Sequence, residues 1–268
     1  MQTTPAALKN KALCAFAHEL ADIAQPIALQ YFRTKLDVLE KQDLSPVTIA
    51  DRSVEAAMRD RITQMHPDHG IYGEEHGQHG LDRRDIWVID PIDGTKSFVS
   101  GMPTFGTLIA HLRDGAPDLG VIAIPFTGER WTGMAGAPSM FGDSPCKTSG
   151  CTSLSKARLY TTSPDIFDAA GLCLFEALSG RAAMRRFGGD CYAYGLLASG
   201  HVDAVFEMDL QPYDYMALVP VIEGAGGVIT DWQGQALTLA SEGRVIAAAT
   251  PELHREMLGV LASGALDS

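Results

Sequence analysis

One short segment, Trp87–Thr95, constrains the fold and the chemistry of this chain more than any other. Its apolar residues Ile86–Ile89 predict a buried strand that ends on the carboxylate of Asp90. A proline turn, a second carboxylate at Asp93 and the pair Gly94–Thr95, which opens a helix, then follow. Two acids on one tight turn gather oxygen ligands for a hard cation such as Mg²⁺, and the freed backbone N–H groups at the helix start suit a phosphate. The segment therefore predicts metal-assisted hydrolysis of a phosphate ester.

For this motif alone, a simpler interpretation stays open. The two carboxylates could merely cap backbone N–H groups at a strand-to-helix turn. Other parts of the chain favour the catalytic interpretation, because they supply more acids in similar settings. These are Asp51, which leads into a helix, the pair Glu74–Glu75 after a short apolar stretch, and Asp214, which opens another helix. Each of them alone could be a helix-cap acid or a solvated loop acid.

Composition and charge narrow the class of protein. The 268 residues are 46% hydrophobic, enough for one large domain or two tightly packed halves. A formal net charge of −12 argues against nucleic acid or an anionic membrane as a partner. Bound cations would offset that charge locally at a phosphate site. Five cysteines at irregular positions do not predict a disulfide framework, although Cys146 and Cys151 could pair. With no signal pattern and no long apolar run, a cytoplasmic protein is expected.

The pattern along the chain divides it into two parts. Residues 1–143 are predicted to form an α+β half with a long amphipathic N-terminal helix, which Pro26 kinks or interrupts. A second helix is predicted over Ser53–Met65. Residues 144–268 are predicted to form an α/β half, because strands and helices alternate there. Its strands include Arg158–Thr161, and its helices include Asp214–Glu223.

Four motifs in order along the chain resemble the inositol monophosphatase family. They are Val47-Thr48-x-x-Asp51, Gly73-Glu74-Glu75, Trp87-x-x-Asp90-Pro91-Ile92-Asp93-Gly94-Thr95, and Tyr213-Asp214 followed by Glu223-Gly224-Ala225-Gly226-Gly227. The resemblance implies a layered α-β-α-β-α sandwich, of the α/β (α+β) class, shared with fructose-1,6-bisphosphatase. It also implies a homodimer that acts on a small phosphate monoester.

Carried over by position, the resemblance assigns roles to these residues. Asp90 would bridge two Mg²⁺ ions, Glu74 and the Ile92 carbonyl would complete one site, and Asp93 and Asp214 would hold the other. Asp51 and Thr95 would orient and deprotonate the attacking water, and Glu74 would also position a third, weaker ion. Gly94 and Thr95 would bind the phosphate oxygens. Two cations about 3.5–4 Å apart can activate a water and stabilise the departing alkoxide.

Other segments resemble the histidinol-phosphate phosphatases of this superfamily. They are Asp93–Phe98 continuing to Pro103–Ile109, and Gly189-Asp190-Cys191-Tyr192-Ala193-Tyr194. Inositol-cleaving members typically have an uncharged Gly-Thr-Ala where this chain has Gly189-Asp190-Cys191. Histidinol carries an ammonium group and an imidazole, which the carboxylates of Asp190 and Glu207 would suit. The predicted function is Mg²⁺-dependent hydrolysis of L-histidinol phosphate in histidine biosynthesis. An inositol or broad sugar-alcohol monophosphatase is the alternative, and a non-catalytic, metal-stabilised binding protein is a third.

Overall fold

The structure is a computed structural model that describes residues 5–34 and 46–264. Within these ranges the helices are α1 (Pro5–Tyr31), α2 (Pro46–Met65), α3 (Thr95–Ser100), α4 (Ala169–Ser179), α5 (Asp190–Ala198), α6 (Pro212–Tyr215), α7 (Leu218–Gly224) and α8 (Pro251–Gly264). The strands of the first sheet are β1 (Gly70–Gly73), β2 (Gln78–His79), β3 (Asp85–Asp93), β4 (Gly106–Arg113), β5 (Ala116–Ile124), β6 (Glu129–Met134), β7 (Met140–Phe141) and β8 (Ser144–Pro145). Those of the second sheet are β9 (Arg158–Thr161), β10 (Met184–Phe187), β11 (Ala204–Glu207), β12 (Val228–Asp231) and β13 (Val245–Ala248).

The strands form two sheets. The first has the order β2-β1-β3-β4-β5-β6-β7-β8, and its neighbours are antiparallel except for the parallel pair β1 and β3. The second has the order β10-β9-β11-β13-β12 and is parallel from β10 to β11 and antiparallel beyond. Both sheets are therefore mixed, because each contains parallel and antiparallel pairs of strands.

Three apolar cores join these sheets to the helices. Helices α1 and α2 pack on each other and on the outer face of the first sheet, around residues such as Leu20, Met58 and Trp87. Helices α5 and α7 lie between the two sheets, where Trp131 and Val221 are buried. Helices α4 and α8 cover the far face of the second sheet. The order of layers is α-β-α-β-α, which confirms the predicted sandwich.

Several predicted boundaries were wrong. Pro26 does not interrupt helix α1, which runs from Pro5 to Tyr31. Helix α2 begins at Pro46, seven residues before the predicted start, so Asp51 lies in its second turn and is not a cap. The predicted helix Asp214–Glu223 is two helices, α6 and α7. The strand Arg158–Thr161 was predicted with its observed bounds.

Two further findings concern the cysteines and the helices. All five cysteines are free thiols, so Cys146 and Cys151 do not pair. Among the described residues, none of the helices combines the length and the apolar character that crossing a membrane requires.

Candidate active site

The two acids of the central motif lie on a bulged strand and not on a turn after it, which corrects the sequence prediction. Strand β3 continues through Pro91 to Asp93. Asp90 pairs with Leu108 of β4 and Asp93 pairs with Gly106, so three residue steps on β3 face two on β4. In a regular strand, side chains three positions apart point to opposite faces. The extra residue of the bulge cancels that alternation and brings both carboxylates to one side.

A third acid joins this pair from a different layer. One carboxylate oxygen each from Asp90, Asp93 and Asp214 lie within 4.8 Å of one another, and we call these residues the acidic triad. Asp214 is the third residue of α6, and its Oδ2 accepts the Gln211 N–H at 2.6 Å in a capping box. The cap proposed as the simpler interpretation is therefore present, but it coexists with a place in the triad.

Backbone donors fix the orientation of the other two triad residues. The Asp90 Oδ1 accepts the Ile92 N–H at 3.0 Å. The Asp93 Oδ2 accepts the Cys191 N–H at 2.6 Å, from the first turn of α5. One oxygen of each acid therefore accepts a backbone N–H, which fixes the orientation of both carboxylates.

Burial and mutual repulsion make the ionised triad unfavourable without a counter-charge. Asp90 is 2% exposed, and burial followed by the charges of Glu74, Asp93 and Asp214 raises its pKa well above the usual value. Burial, then Asp190, raises the pKa of Asp93 to about 8. Burial raises the pKa of Asp214 to about 6. Like charges that are forced together in this way need protons or cations to neutralise them.

Asp51 and Glu74 border the triad. Burial, followed by the charges of Glu74 and Glu75, raises the pKa of Asp51 to about 8. Its Oδ1 is buried, and within the described part of the chain it has no hydrogen-bond partner. Burial, then Asp214, raises the pKa of Glu74 to about 7, while a hydrogen bond with Asp90 acts in the opposite direction. Glu74 stands beside Asp90 but is not a member of the triad as the described residues define it.

This donor set fits Mg²⁺. The triad offers three convergent carboxylate oxygens, which is the ligand chemistry that a hard divalent cation prefers. The charges that raise the pKa values of Asp51, Asp90 and Asp93 are all those of other acids. The unpartnered Asp51 oxygen leaves an acceptor for a water. A site that had evolved only to cap helices would not bury so many unpaired acids.

The predicted phosphate-binding residues begin α3. Gly94 has φ +82 and precedes Thr95, the first residue of the helix. A Cβ at position 94 would lie 2.6 Å from the Asp190 Oδ2, so this carboxylate rests directly on the glycine. Asp190 Oδ2 also accepts the Ser97 hydroxyl at 2.5 Å. The Asp190 side chain does not cap α5, because Gly189 is the N-cap of that helix and no side chain caps it.

Glu207 lies at the end of β11 and is 2% exposed. Its Oε1 accepts the Thr162 N–H at 2.7 Å and the Thr162 hydroxyl at 3.0 Å. Its Oε2 is buried with no partner among the described residues. Burial raises the pKa of Glu207 to about 8, and Asp93 and Asp190 add to the effect. Asp190 and Glu207 therefore form a second acidic pair beside the triad.

Tyr194 ends the motif Gly189–Tyr194, but no role was predicted for it. The Tyr194 hydroxyl is buried, and within the described ranges it has no hydrogen-bond partner. Burial, followed by the charge of Glu207, raises the pKa of Tyr194 well above its usual value. A tyrosine in an apolar helix of the core gives no sequence signal for such a role, because its ring alone accounts for its burial.

The chelated protein is expected to lose stability as pH rises. In the folded, metal-free protein the pKa is about 6 for Asp214, about 7 for Glu74 and about 8 for Asp93, against ordinary values of 3.8 to 4.5. The folded state therefore binds more protons than the unfolded state over this range. Its stabilisation is full at pH values below about 4 and is lost as pH rises through 6 to 8.

Thermal unfolding with chelator and with Mg²⁺, at pH 5.5 and pH 8, checks this expectation. Mg²⁺ should raise the Tm more at pH 8, because the acids are ionised there and the cation relieves their mutual repulsion. At pH 5.5 the cation must instead displace protons from the acids. An equal gain at both pH values would mean that the acidic triad does not take up the cation.

Known proteins resemble this chain over nearly its whole length. Residues 9–264 match the inositol monophosphatase family. The chain is 45% identical over 267 residues to the chloroplastic bifunctional phosphatase IMPL2 of Arabidopsis thaliana, a match that covers 95% of this chain and 77% of that protein. It is 35% identical over 253 residues to the histidinol-phosphatase of Chlorobaculum parvum, covering 94% and 97%.

A solved structure agrees with the sequence relatives. The structure of an inositol monophosphatase from Zymomonas mobilis superposes with a TM-score of 0.89 at 44% identity, and the match covers 94% of this chain and 98% of that one. The names of these relatives include two different substrates. The substrate therefore has to be inferred from the residues that lie beside the acidic triad.

Proposed function

The chain belongs to the inositol monophosphatase family and is a hydrolase of phosphate monoesters, and from that premise we propose L-histidinol phosphate as its substrate. Mg²⁺ is the proposed cofactor, held by the acidic triad together with Glu74 and the Ile92 carbonyl. The product would be L-histidinol, as in histidine biosynthesis.

The observation that carries this proposal is the second acidic pair. Asp190 and Glu207 are largely buried beside Asp93: the charge of Asp190 raises the pKa of Asp93, and the charges of Asp93 and Asp190 raise the pKa of Glu207. The buried Glu207 Oε2 lacks a partner among the described residues. A leaving alcohol that carries an ammonium group and a titratable imidazole would supply a donor for the Glu207 Oε2, and it would add positive charge to that of Lys96, which acts on Asp190.

The alternative substrate is a neutral polyol phosphate. Relatives at comparable identity include an inositol monophosphatase, so the shared phosphate site is compatible with inositol 1-phosphate. Hydroxyl groups can donate to Asp190 and Glu207, but they bring no positive charge into a buried pocket that already holds two acids. We therefore rank the cationic substrate first.

The chain's own groups divide the catalytic work as follows. When bound, Mg²⁺ supplies Lewis-acid stabilisation of the phosphate oxygens and of the departing alkoxide. Asp51, through its unpartnered Oδ1, accepts the proton of the attacking water, and the Thr95 hydroxyl orients that water. The N–H groups of Gly94 and Thr95 hold the phosphate, and Asp190 and Glu207 hold the alcohol.

Replacing Asp190 with Thr tests the choice of substrate. The carboxylate that contacts Gly94 and Ser97 would be lost. The kcat/KM for histidinol phosphate should therefore fall at least about tenfold, which corresponds to the loss of one charge-assisted hydrogen bond. The value for inositol 1-phosphate should change much less. Steady-state phosphate release from both substrates measures the two ratios.

Asp114 is a control for this variant, since it is 66% exposed and pairs with Arg84 at the surface. Asp114→Asn should leave the kcat/KM for both substrates unchanged. Equal losses for both substrates in Asp190→Thr would show that Asp190 supports the phosphate site and does not select the alcohol.

A further inference from the structure

One buried acid near the site has no part in the roles described so far. Glu55 lies on α2, and its side chain is 0% exposed. Its Oε2 accepts the Glu75 N–H at 2.6 Å, and its Oε1 accepts the His76 N–H at 3.0 Å. The Arg59 Nε donates to Oε1 at 2.6 Å, from one helical turn further along. Both carboxylate oxygens of Glu55 therefore accept hydrogen bonds, which come from the backbone of one loop and from one arginine.

That loop is Gly73–Gly77, which we call the Glu74 loop. Arg59 closes it from the other side, because its Nη2 donates to the Gly77 carbonyl. The loop closes on itself as well, through a 3.1 Å bond from the Gly73 N–H to the Gly77 carbonyl. At position 73 a Cβ would lie 2.1 Å from the Glu55 Oε1, so only glycine lets the loop approach the carboxylate this closely.

Glu55 also lies one helical turn after Asp51 on α2, and residues four apart share a helix face. The helix therefore carries the base of the proposed reaction and, one turn later, the group that holds the Glu74 loop. Glu74 and Asp51 influence each other directly, because the Glu74 charge raises the pKa of Asp51.

We propose that Glu55 is a positioning residue for the metal site: it fixes Glu74 against α2, and in this way sets the affinity of the acidic cluster for Mg²⁺. This inference rests on the proposed role of Glu74 as a ligand. Glu55 itself faces the backbone of the loop and Arg59, and it is not a catalytic residue. Groups that orient a metal ligand typically change the affinity for the metal about 10- to 100-fold when they are removed.

Glu55→Gln tests this role with little change in shape. Glutamine keeps the length of the side chain, but it replaces one acceptor oxygen with an NH₂ group that faces N–H donors. The Mg²⁺ concentration that half-saturates the rise in Tm should increase about tenfold. In chelated protein, hydrogen exchange at the Glu75 and His76 amides should become faster, since both donors lose part of their acceptor. The kcat at saturating Mg²⁺ should stay near that of the wild type.

Glu19→Gln is the matched control. It removes an ion pair of the same length, 2.6 Å to Arg61, which joins α1 to α2 and does not touch the Glu74 loop. Both readouts should stay as in the wild type. If Glu55→Gln does not fold, Glu55→Asp keeps the charge and shortens the side chain by about 1.5 Å, and the same rise in Mg²⁺ demand is expected.

Faster exchange with an unchanged Mg²⁺ midpoint would overturn the inference, because the loop would then be loosened without any effect on the site. Unchanged exchange would overturn it as well. These outcomes are distinct from failure of the proposed function. If wild-type protein shows no Mg²⁺-dependent rise in Tm, the metal site itself is wrong, whereas the wrong substrate leaves both readouts intact.

Discussion

Asp90→Asn is expected to lower kcat at least about a thousandfold, equivalent to about 4 kcal/mol of transition-state stabilisation. Asp90 is the member of the acidic triad on which the charges of Glu74, Asp93, Asp214 and Asp51 all act. An amide can still accept the Ile92 N–H, so the bulge should survive. It cannot supply the negative charge with which Asp90 would help to hold Mg²⁺. Phosphate release at saturating Mg²⁺ measures the loss.

The same variant should be more stable than the wild type when both are chelated at pH 8. Removing one of several like-charged acids lowers the electrostatic repulsion within the metal-free site. Such a trade-off between activity and stability is common at active sites. Asp114→Asn is the control, since Asp114 is 66% exposed and pairs only at the surface with Arg84. If Asp90→Asn kept near-normal turnover, the two-metal mechanism would be wrong and the triad would have another role.

Asp51→Asn should be the second most damaging change. General-base catalysis typically contributes 10²- to 10⁴-fold, so kcat should fall at least about a hundredfold. The Mg²⁺ midpoint and the KM should change little, because Asp51 is not one of the three acids whose carboxylate oxygens converge. Rate measurements across pH, combined with thermal-shift titration of Mg²⁺, separate these effects.

Asp60 offers a control on the same helix. It is exposed near the far end of α2, and Asp60→Asn should leave the rate unchanged. A large rise in the Mg²⁺ midpoint of Asp51→Asn, with kcat restored at high Mg²⁺, would contradict the role of base. It would make Asp51 a metal ligand instead.

The sequence predicted the acids of the site better than their backbone. A proline inside a central strand normally argues against that strand, since it cannot donate to the ladder. Pro91 therefore indicated a turn. The chain instead places it in a bulge, where the Thr107 hydroxyl donates to its carbonyl at 2.8 Å. Short pairs such as β7 with β8 were missed because two residues carry no periodic signal.

Glu55 and Tyr194 show why part of the site could not be predicted from the sequence. A glutamate in an amphipathic helix is usually solvated, and only the tertiary arrangement turns Glu55 towards the Glu74 loop. The layered sandwich, by contrast, followed from four ordered motifs. The division at residue 143, the homodimer and the roles of individual ligands stay predictions.

The most direct test of the central claim is a comparison of kcat/KM for L-histidinol phosphate and inositol 1-phosphate, measured side by side with the wild-type protein and Mg²⁺. The acidic pair of Asp190 and Glu207 predicts a preference for histidinol phosphate of at least about tenfold, the contribution of one charge-assisted contact. Equal values, or a preference for the inositol ester, would leave the acidic triad and its chemistry in place and would contradict the assignment of a cationic substrate.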